Sequence, residues 1–420
     1  MKKFLLLSFL AISTISYSGG FQLNVQSIRA IGMGGAYTGF AYGPASVFFN
    51  PGGMTTLRGH NLCAGINLVF PKVSLQTEFA DNINQTSGMA TPFHFYYGGE
   101  LIPEKLFVGL AVNNLWGSSS SFADEWEGRF IVQNISLKTF SFQPTIAYAP
   151  HPMISVGAGM VLTTGSFGFE KAVPLYSDPN EYGKASLSGR GIAFGFNGGL
   201  LFSPLKVDEG KIGLSVGASF RSGQAIELGD GIANFTGIPT SLESTFPAET
   251  NFTGGLNLPY VVSTGFALEL NLSEMMDKDA GNVLRVLYDF NYTGWSSYDS
   301  LKFDFVNEDT PDSETPKLWE NSPTHRFGLE LQLKNMLFIR AGGYYDVTPI
   351  PDGYLSPELP DATQFVPTFG LGVQFLEKYS FDLSWIHQDA SRTSDLISAG
   401  WSASYRRIAD VISFSATIKI

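Results

Sequence analysis

The run Gly213-Leu214-Ser215-Val216-Gly217 has the Gly-x-Ser-x-Gly spacing of a hydrolase nucleophile elbow, which exposes its serine on a sharp turn between a strand and a helix. No such turn fits here. Ile212, Leu214, Val216, Ala218 and Phe220 alternate with Lys211, Gly213, Ser215, Gly217, Ser219 and Arg221, so a straight strand runs through the would-be nucleophile. Other reactive residues are as thinly spread. His60, His94, His151, His325 and His387 show no metal-ligand spacing, and Cys63 is the only cysteine, which leaves neither a zinc site nor an intramolecular disulfide. Cys63 itself is expected to be a buried, inert thiol. Gly32-Met33-Gly34-Gly35 stops short of a dinucleotide fingerprint, because Tyr37 takes the last glycine position and no crossover helix follows. The sequence predicts no enzyme, no cofactor and no metal.

The informative side chains are charges on strands that are otherwise half apolar. Arg221, Glu269, Arg285, Asp289, Arg326, Glu330, Lys334, Arg340 and Asp382 fall on the polar side of alternating segments. Facing lipid, an Arg or Lys at the bilayer midplane would cost roughly 2 to 4 kcal/mol. These charges are therefore expected to face a lumen, paired with one another and with the chain that fills it. Arg221 and Arg326 are the candidates for holding a carboxylate through charge-assisted hydrogen bonds.

The elements that would carry them are strands. Alternation recurs in Val283 to Tyr292, in Arg326 to Lys334 and in Ser413 to Ile420, and about 14 segments begin near residues 62, 91, 105, 131, 153, 184, 211, 257, 282, 318, 336, 364, 378 and 405. A soluble β-sandwich alternates as well. The segments are long, Gly and Ser crowd the polar face, and Trp116, Tyr148, Trp295, Tyr298, Trp319 and Trp385 recur near segment ends like an interfacial girdle. Charged residues make up 15% of the 420-residue chain, against roughly 25% in soluble proteins. No mature segment has the ~18 apolar residues of a spanning helix. The expected fold is all-β: a transmembrane antiparallel β-barrel with short turns at one end and longer connections (117 to 130, 171 to 183, 226 to 256, 300 to 317, 348 to 363) at the other. A net charge of −12 excludes nucleic acid as a partner.

Residues 1–18 have the form of a signal peptide, basic at Lys2 and Lys3, apolar from Phe4 to Ile12 and ending Ser16-Tyr17-Ser18. Residues 19–60 follow as a glycine-rich stretch with neither period, read as a hatch or plug, and residues 61–420 form the barrel. One outer connection is unusually apolar. It holds Ile232, Phe235, Ile238, Leu242 and Phe246, which make either a hydrophobic landing site or a loop folded on a small core of its own.

Gly20-Phe21-Gln22-Leu23-Asn24, Gly32-Met33-Gly34-Gly35-Ala36-Tyr37-Thr38-Gly39 and Asn50-Pro51 resemble the mature amino terminus of the FadL family of outer-membrane transporters for long-chain fatty acids and other hydrophobic compounds. Gly195 to Leu201, Leu256 to Pro259, Tyr292 to Tyr298 and Asp346 to Pro351 are similar to later family segments. The resemblance implies a Gram-negative outer-membrane barrel with a hatch in its lumen, acting as a monomer among outer-membrane lipids. It implies uptake of hydrophobic molecules, most of all long-chain fatty acids: capture at the 171 to 183 and 226 to 256 loops, transfer to an internal pocket, and lateral exit gated by the hatch. Phe21 and Leu23 would line that pocket with Arg221 and Arg326. Asn50 and Pro51 would hold the hatch near a kinked strand, with Gly52 replacing the alanine of the family's Asn-Pro-Ala triplet. The alternatives are uptake of aromatic hydrocarbons and a non-transporting barrel that serves secretion or surface assembly.

Overall fold

The structure is a computed structural model in which residues 19–178, 180–275 and 281–420 are described. The expected signal peptide lies outside the described residues. The alternating segments form strands, and fourteen of them close into one sheet. We label these β1 (His60–Gln76), β2 (Phe93–Ile102), β3 (Leu106–Asn113), β4 (Asn134–His151), β5 (Ile154–Val173), β6 (Gly183–Leu205) and β7 (Ile212–Arg221). The second half comprises β8 (Val261–Asn271), β9 (Val283–Thr293), β10 (Ser322–Leu333), β11 (Leu337–Asp346), β12 (Gln364–Phe375), β13 (Tyr379–Leu396) and β14 (Trp401–Lys419). Every strand pairs antiparallel with the next. β14 returns to β1, in register from Asn61↔Lys419 to Gln76↔Ser404. Closure pairs every wall strand on both sides, as a bilayer demands. Among the described residues no helix is long and apolar enough to cross a membrane.

Burial separates this barrel from a soluble sandwich. On β7, Val216 is 47% exposed while Ser215 is 4% exposed, and on β8 Phe266 lies open while Ser263 and Glu269 are buried. The apolar face points out and the polar face in, the reverse of a water-soluble core and the order expected against lipid.

Three expectations need correction. Residues 226–256 are not a loop, because strands Gln224–Thr236 and Glu249–Leu258 pair with each other and the first continues the wall beside β6 at Ile232↔Ser188. Lys334 does not face the lumen; it lies exposed in the β10–β11 turn at φ 50°, where the strand has ended. Residues 348–363 do not extend outward as a free loop: Ile350, Leu355, Asp361 and Ala362 are buried, so this connection folds into the barrel mouth.

Residues 19–59 fill the lumen. Short helices at Ile28–Ile31 and Ser46–Phe49 and a 3-10 turn at Pro51–Thr56 are linked by irregular chain, with Met33, Ala36, Tyr37, Val47 and Met54 fully buried. The glycines on the polar faces of the strands now have a reason. A Cβ on Gly217 would lie 2.1 Å from the Thr38 carbonyl oxygen, and one on Gly199 would lie 2.2 Å from the Asn50 side chain. The wall is bare where plug backbone touches it.

Charge fixes the plug as well. Glu330, fully buried, takes Arg29 from the plug at 2.7 Å and Arg285 and Arg340 from the wall at 2.8 and 2.6 Å. Arg285 also meets Glu269 and Arg340 meets Asp382, so three guanidiniums face three carboxylates. Such a cluster is tolerable away from water only when every member is paired. Cys63 is buried at the edge of this region.

Candidate binding site inside the barrel

The first plug residues lie along a break in the wall. β3 ends at Asn113 and its line resumes at Gly117–Ser121, both pieces pairing with β4. The backbone at the break bonds largely to the plug, while Trp116 exchanges hydrogen bonds with the Thr139 hydroxyl of β4. The Leu23 N–H donates to the Leu115 carbonyl at 2.9 Å, the Gly117 N–H to the Phe21 carbonyl at 3.0 Å, and the Gln26 amide to the Asn114 carbonyl at 2.6 Å. Buried backbone polar groups must find partners, so the plug completes what the kink leaves open. Beyond it, the Gly19 and Gly20 N–H groups donate to Asp346 and Asp361, each at 3.1 Å. Asp289 accepts from the Tyr37 and Thr38 N–H groups at 2.7 and 2.6 Å.

This segment parts two cavities. The inner one encloses about 700 Å³ of empty space, mouth included, and its lining contains Leu23, Phe48, Asn197, Arg221, Asn291 and Arg326. The outer one, about 440 Å³ on the same measure, is lined by Phe21, Leu137, Phe167, Leu256, Tyr298 and Trp319. The expected pocket residues are therefore split: Phe21 faces the outer cavity, whereas Leu23, Arg221 and Arg326 share the inner one.

Arg221 donates to the Gln143 amide oxygen at 2.7 Å and lies over the Phe48 ring. Arg326 donates to the Asn24 side chain at 2.7 Å and lies over Tyr344. Among the described residues neither guanidinium forms an ion pair within 4.0 Å, unlike the three around Glu330. Around the same cavity, both polar atoms of the buried Asn197 amide, the Asn291 side-chain oxygen and the Arg326 Nε have no hydrogen-bond partner among the described residues. Two cations without a close ion pair, Arg326 with Asp289 and Asp346 in electrostatic reach, beside unmet hydrogen-bond capacity suit an anionic polar group.

Sequence reasoning missed the outer cage. Trp116, Trp295, Tyr298 and Trp319, expected in the membrane girdle, are buried around Phe21, with ring centroids at 5.9, 4.8, 5.4 and 5.6 Å. Only Tyr148 and Trp385 of that set are exposed as a girdle requires. An aromatic residue near a strand end gives no signal of which way it turns.

Asn50 is fully buried and caps the 3-10 turn, accepting from the Gly52 N–H at 3.1 Å and donating to the Thr38 and Leu200 carbonyls at 2.9 and 3.0 Å. Pro51 lies against Gly157 and Gly199, so this triplet touches β5, β6 and β7, while the broken strand is met by Phe21 to Gln26. A Cβ on Gly52 would come within 2.9 Å of the Leu201 nitrogen, which accounts for glycine here. Of the residues expected at an external groove, Phe235 is buried, Ile238 and Phe246 pack against the same core, Leu242 is half-buried and only Ile232 is exposed. That stretch is neither a free landing site nor folded on a core of its own: because its strands pair with β6 and with each other, its apolar side chains join the cluster of Phe21, Trp116, Trp295 and Trp319. It meets the 171 to 183 connection, where the Tyr176 hydroxyl donates to the Gly237 carbonyl at 3.0 Å.

Known proteins match both the sequence and this architecture. The model of the family described as outer membrane protein transport protein (OMPP1/FadL/TodX) matches residues 9–415. The chain belongs to this family. It is 25% identical to a long-chain fatty acid transport protein of Salmonella typhi, covering 91% of each chain. It is 24% identical to a 47 kDa outer membrane protein of Pasteurella multocida, covering 91% of this chain and 90% of the other. Its fold is similar to that of a Pseudomonas aeruginosa FadL homologue, with a TM-score of 0.77 at 16% identity over 96% of this chain and all of that one. The Pseudomonas putida toluene transporter TodX gives a TM-score of 0.69 at 16% identity, covering 95% and 99%. As a FadL-family member the chain is an outer-membrane transport protein and not an enzyme.

Proposed function

We propose that this protein carries long-chain fatty acids from the outer cavity, past a displaced Phe21 to Leu23 segment, into the inner cavity and out sideways through the wall where β3 is broken. One observation carries the reading. The segment that parts the two cavities is also the segment that hydrogen-bonds the broken strand, so a molecule that displaces it joins the cavities and unseals the wall together. Each methylene moved into such an apolar route gains roughly 0.8 kcal/mol, which gives a long chain the free energy to compete with Phe21. Arg221 and Arg326, which have no ion pair within 4.0 Å among the described residues, favour a cargo with a carboxylate, and a fatty acid transporter among the relatives supports it. Asn50, Pro51 and Gly52 hold the body of the hatch to the wall while its leading segment moves.

The ring cage around Phe21 favours a second reading, transport of monoaromatic hydrocarbons. Native mass spectrometry of detergent-extracted protein, wild type beside a deletion of Gly19 to Asn24, separates these. Oleate retained by wild type and lost on deletion supports the first, toluene retained in its place supports the second, and equal occupancy in both proteins removes the role of the segment.

A further inference from the structure

The inward fold of residues 348–363 places a carboxylate where an incoming acid would have to arrive. Glu358 of this connection forms an ion pair with Lys317, and the two side chains are only 12% and 7% exposed. Both line the outer cavity beside Phe21, Leu137, Phe167 and Trp319. An ion pair on the rim of an apolar cup is costly to desolvate and adds little stability over an apolar pair of similar size. Its position suggests another use.

Two further observations bear on it. Lys171 shares the inward face of β5 with Phe167 and Phe169 and lies within electrostatic reach of Glu358, and among the described residues it has no ion pair of its own. The lining of the outer cavity thus has one lysine and one carboxylate, with a second lysine in electrostatic reach of that carboxylate, and the carboxylate belongs to a connection rather than to a wall strand. In addition, the Glu358 carbonyl accepts from the Ser120 hydroxyl at 2.8 Å. Ser120 sits on Gly117–Ser121, the piece of wall strand just beyond the break. The Ser356–Leu359 turn is therefore fastened at Lys317 through the Glu358 side chain and at the broken strand through its backbone. The rest of the connection is held to β13 by Arg392 with Asp352 and the Ile350 carbonyl, to the turn after β13 by Ile397 with Gly353, and to the plug by Gly20 with Asp361.

We propose that Glu358 is an internal stand-in for the carboxylate of the cargo, and that a fatty acid seats its own carboxylate on Lys317 by exchange, loosening the Ser356–Leu359 turn as a lid over the outer cavity. The exchange conserves charge in a water-poor site: one carboxylate leaves Lys317 as another arrives, with the alkyl chain directed toward Phe21. A neutral molecule of the same shape cannot complete it. The lid selects acids over alcohols and hydrocarbons before the amino-terminal segment is reached. This inference rests on the outer cavity being part of the transport route.

The test uses the full-length protein in detergent micelles, titrated with oleate or oleyl alcohol while the fluorescence of the Trp116, Trp295 and Trp319 cage is followed. Glu358→Gln removes the competitor at nearly constant size, and oleate should bind about tenfold tighter, the scale of one charge-assisted hydrogen bond, with oleyl alcohol unchanged. Lys317→Gln should weaken oleate by about the same factor and again leave the alcohol alone. The double variant, which removes both charges of the pair together, should respond to acid and alcohol alike in this outer-cavity signal, with Arg221 and Arg326 lying beyond the cage in the inner cavity. Heat-modified electrophoretic mobility confirms the barrel in each. Unchanged oleate affinity in Glu358→Gln, equal loss of both ligands in Lys317→Gln, or a surviving preference of the cage signal for acid in the double variant overturns the exchange while leaving the transport route intact. Wild-type protein that binds neither ligand overturns the route and the exchange together.

Discussion

Replacing Phe21 by alanine tests whether the amino-terminal segment is a gate held shut by its aromatic seat. The ring makes edge contacts with Trp295 at 4.8 Å and Tyr298 at 5.4 Å, with Trp319 and Trp116 completing the cage. Removing a buried phenylalanine costs about 3 to 5 kcal/mol where the surroundings cannot collapse, and the cage is anchored at three places, the break after β3, the Trp295–Tyr298 turn and Trp319 before β10. The barrel itself does not depend on this ring, because its strands pair with one another. The loss therefore falls on the closed position of the segment relative to the displaced one. A change of about 3 kcal/mol raises the displaced fraction about a hundredfold. Planar-bilayer recordings should show openings more frequent by that order, Phe21→Leu should fall between, and heat-modified mobility should stay as in wild type. An opening frequency equal to wild type in Phe21→Ala, with the barrel intact, would falsify the gate.

Gly217→Ala puts a methyl 2.1 Å from the Thr38 carbonyl oxygen, so the barrel should assemble with its plug displaced, seen as faster amide exchange over residues 27–57. Gly52→Ala, which restores the family's usual residue, should loosen the 3-10 turn against Leu201 and Ser155 by the same measure. Glu330→Gln leaves Arg29, Arg285 and Arg340 facing one another without their shared carboxylate, and should lower stability by about 3 kcal/mol or more in chemical denaturation. Arg221→Met keeps the stacking on Phe48 and removes the cation. Oleate retained in the inner cavity should fall by about tenfold or more, and equal retention would assign the carboxylate seat elsewhere.

The barrel was legible in the sequence because its signal is local. Each wall strand must be apolar on one face and polar on the other, so Val216 beside Ser215 or Phe266 beside Ser263 states the arrangement within a few residues, and each expected strand start lies within four residues of an observed one. Charges that lipid would reject had to point inward, which placed Arg221, Arg285, Arg326 and Glu330 in the lumen before any contact was known. The family likeness pointed to the hatch and to Asn50 and Pro51.

What the alternation could not say is which neighbour each inward residue meets, since that depends on segments hundreds of positions apart. Trp295 and Trp319 have the composition of an interfacial girdle, and only the placement of Phe21 between them makes them a cage. Ile226, Leu228 and Phe235 read as an apolar loop until pairing with β6 and with Glu249–Leu258 buries them. Glu358 and Lys317 are 41 residues apart, and only the inward fold of 348–363 brings them together. Periodicity along a strand determined the wall, because it follows from the backbone's own geometry; the cavities were decided by tertiary structure, because closing a ring of fourteen strands around a folded leader is what chooses the partners.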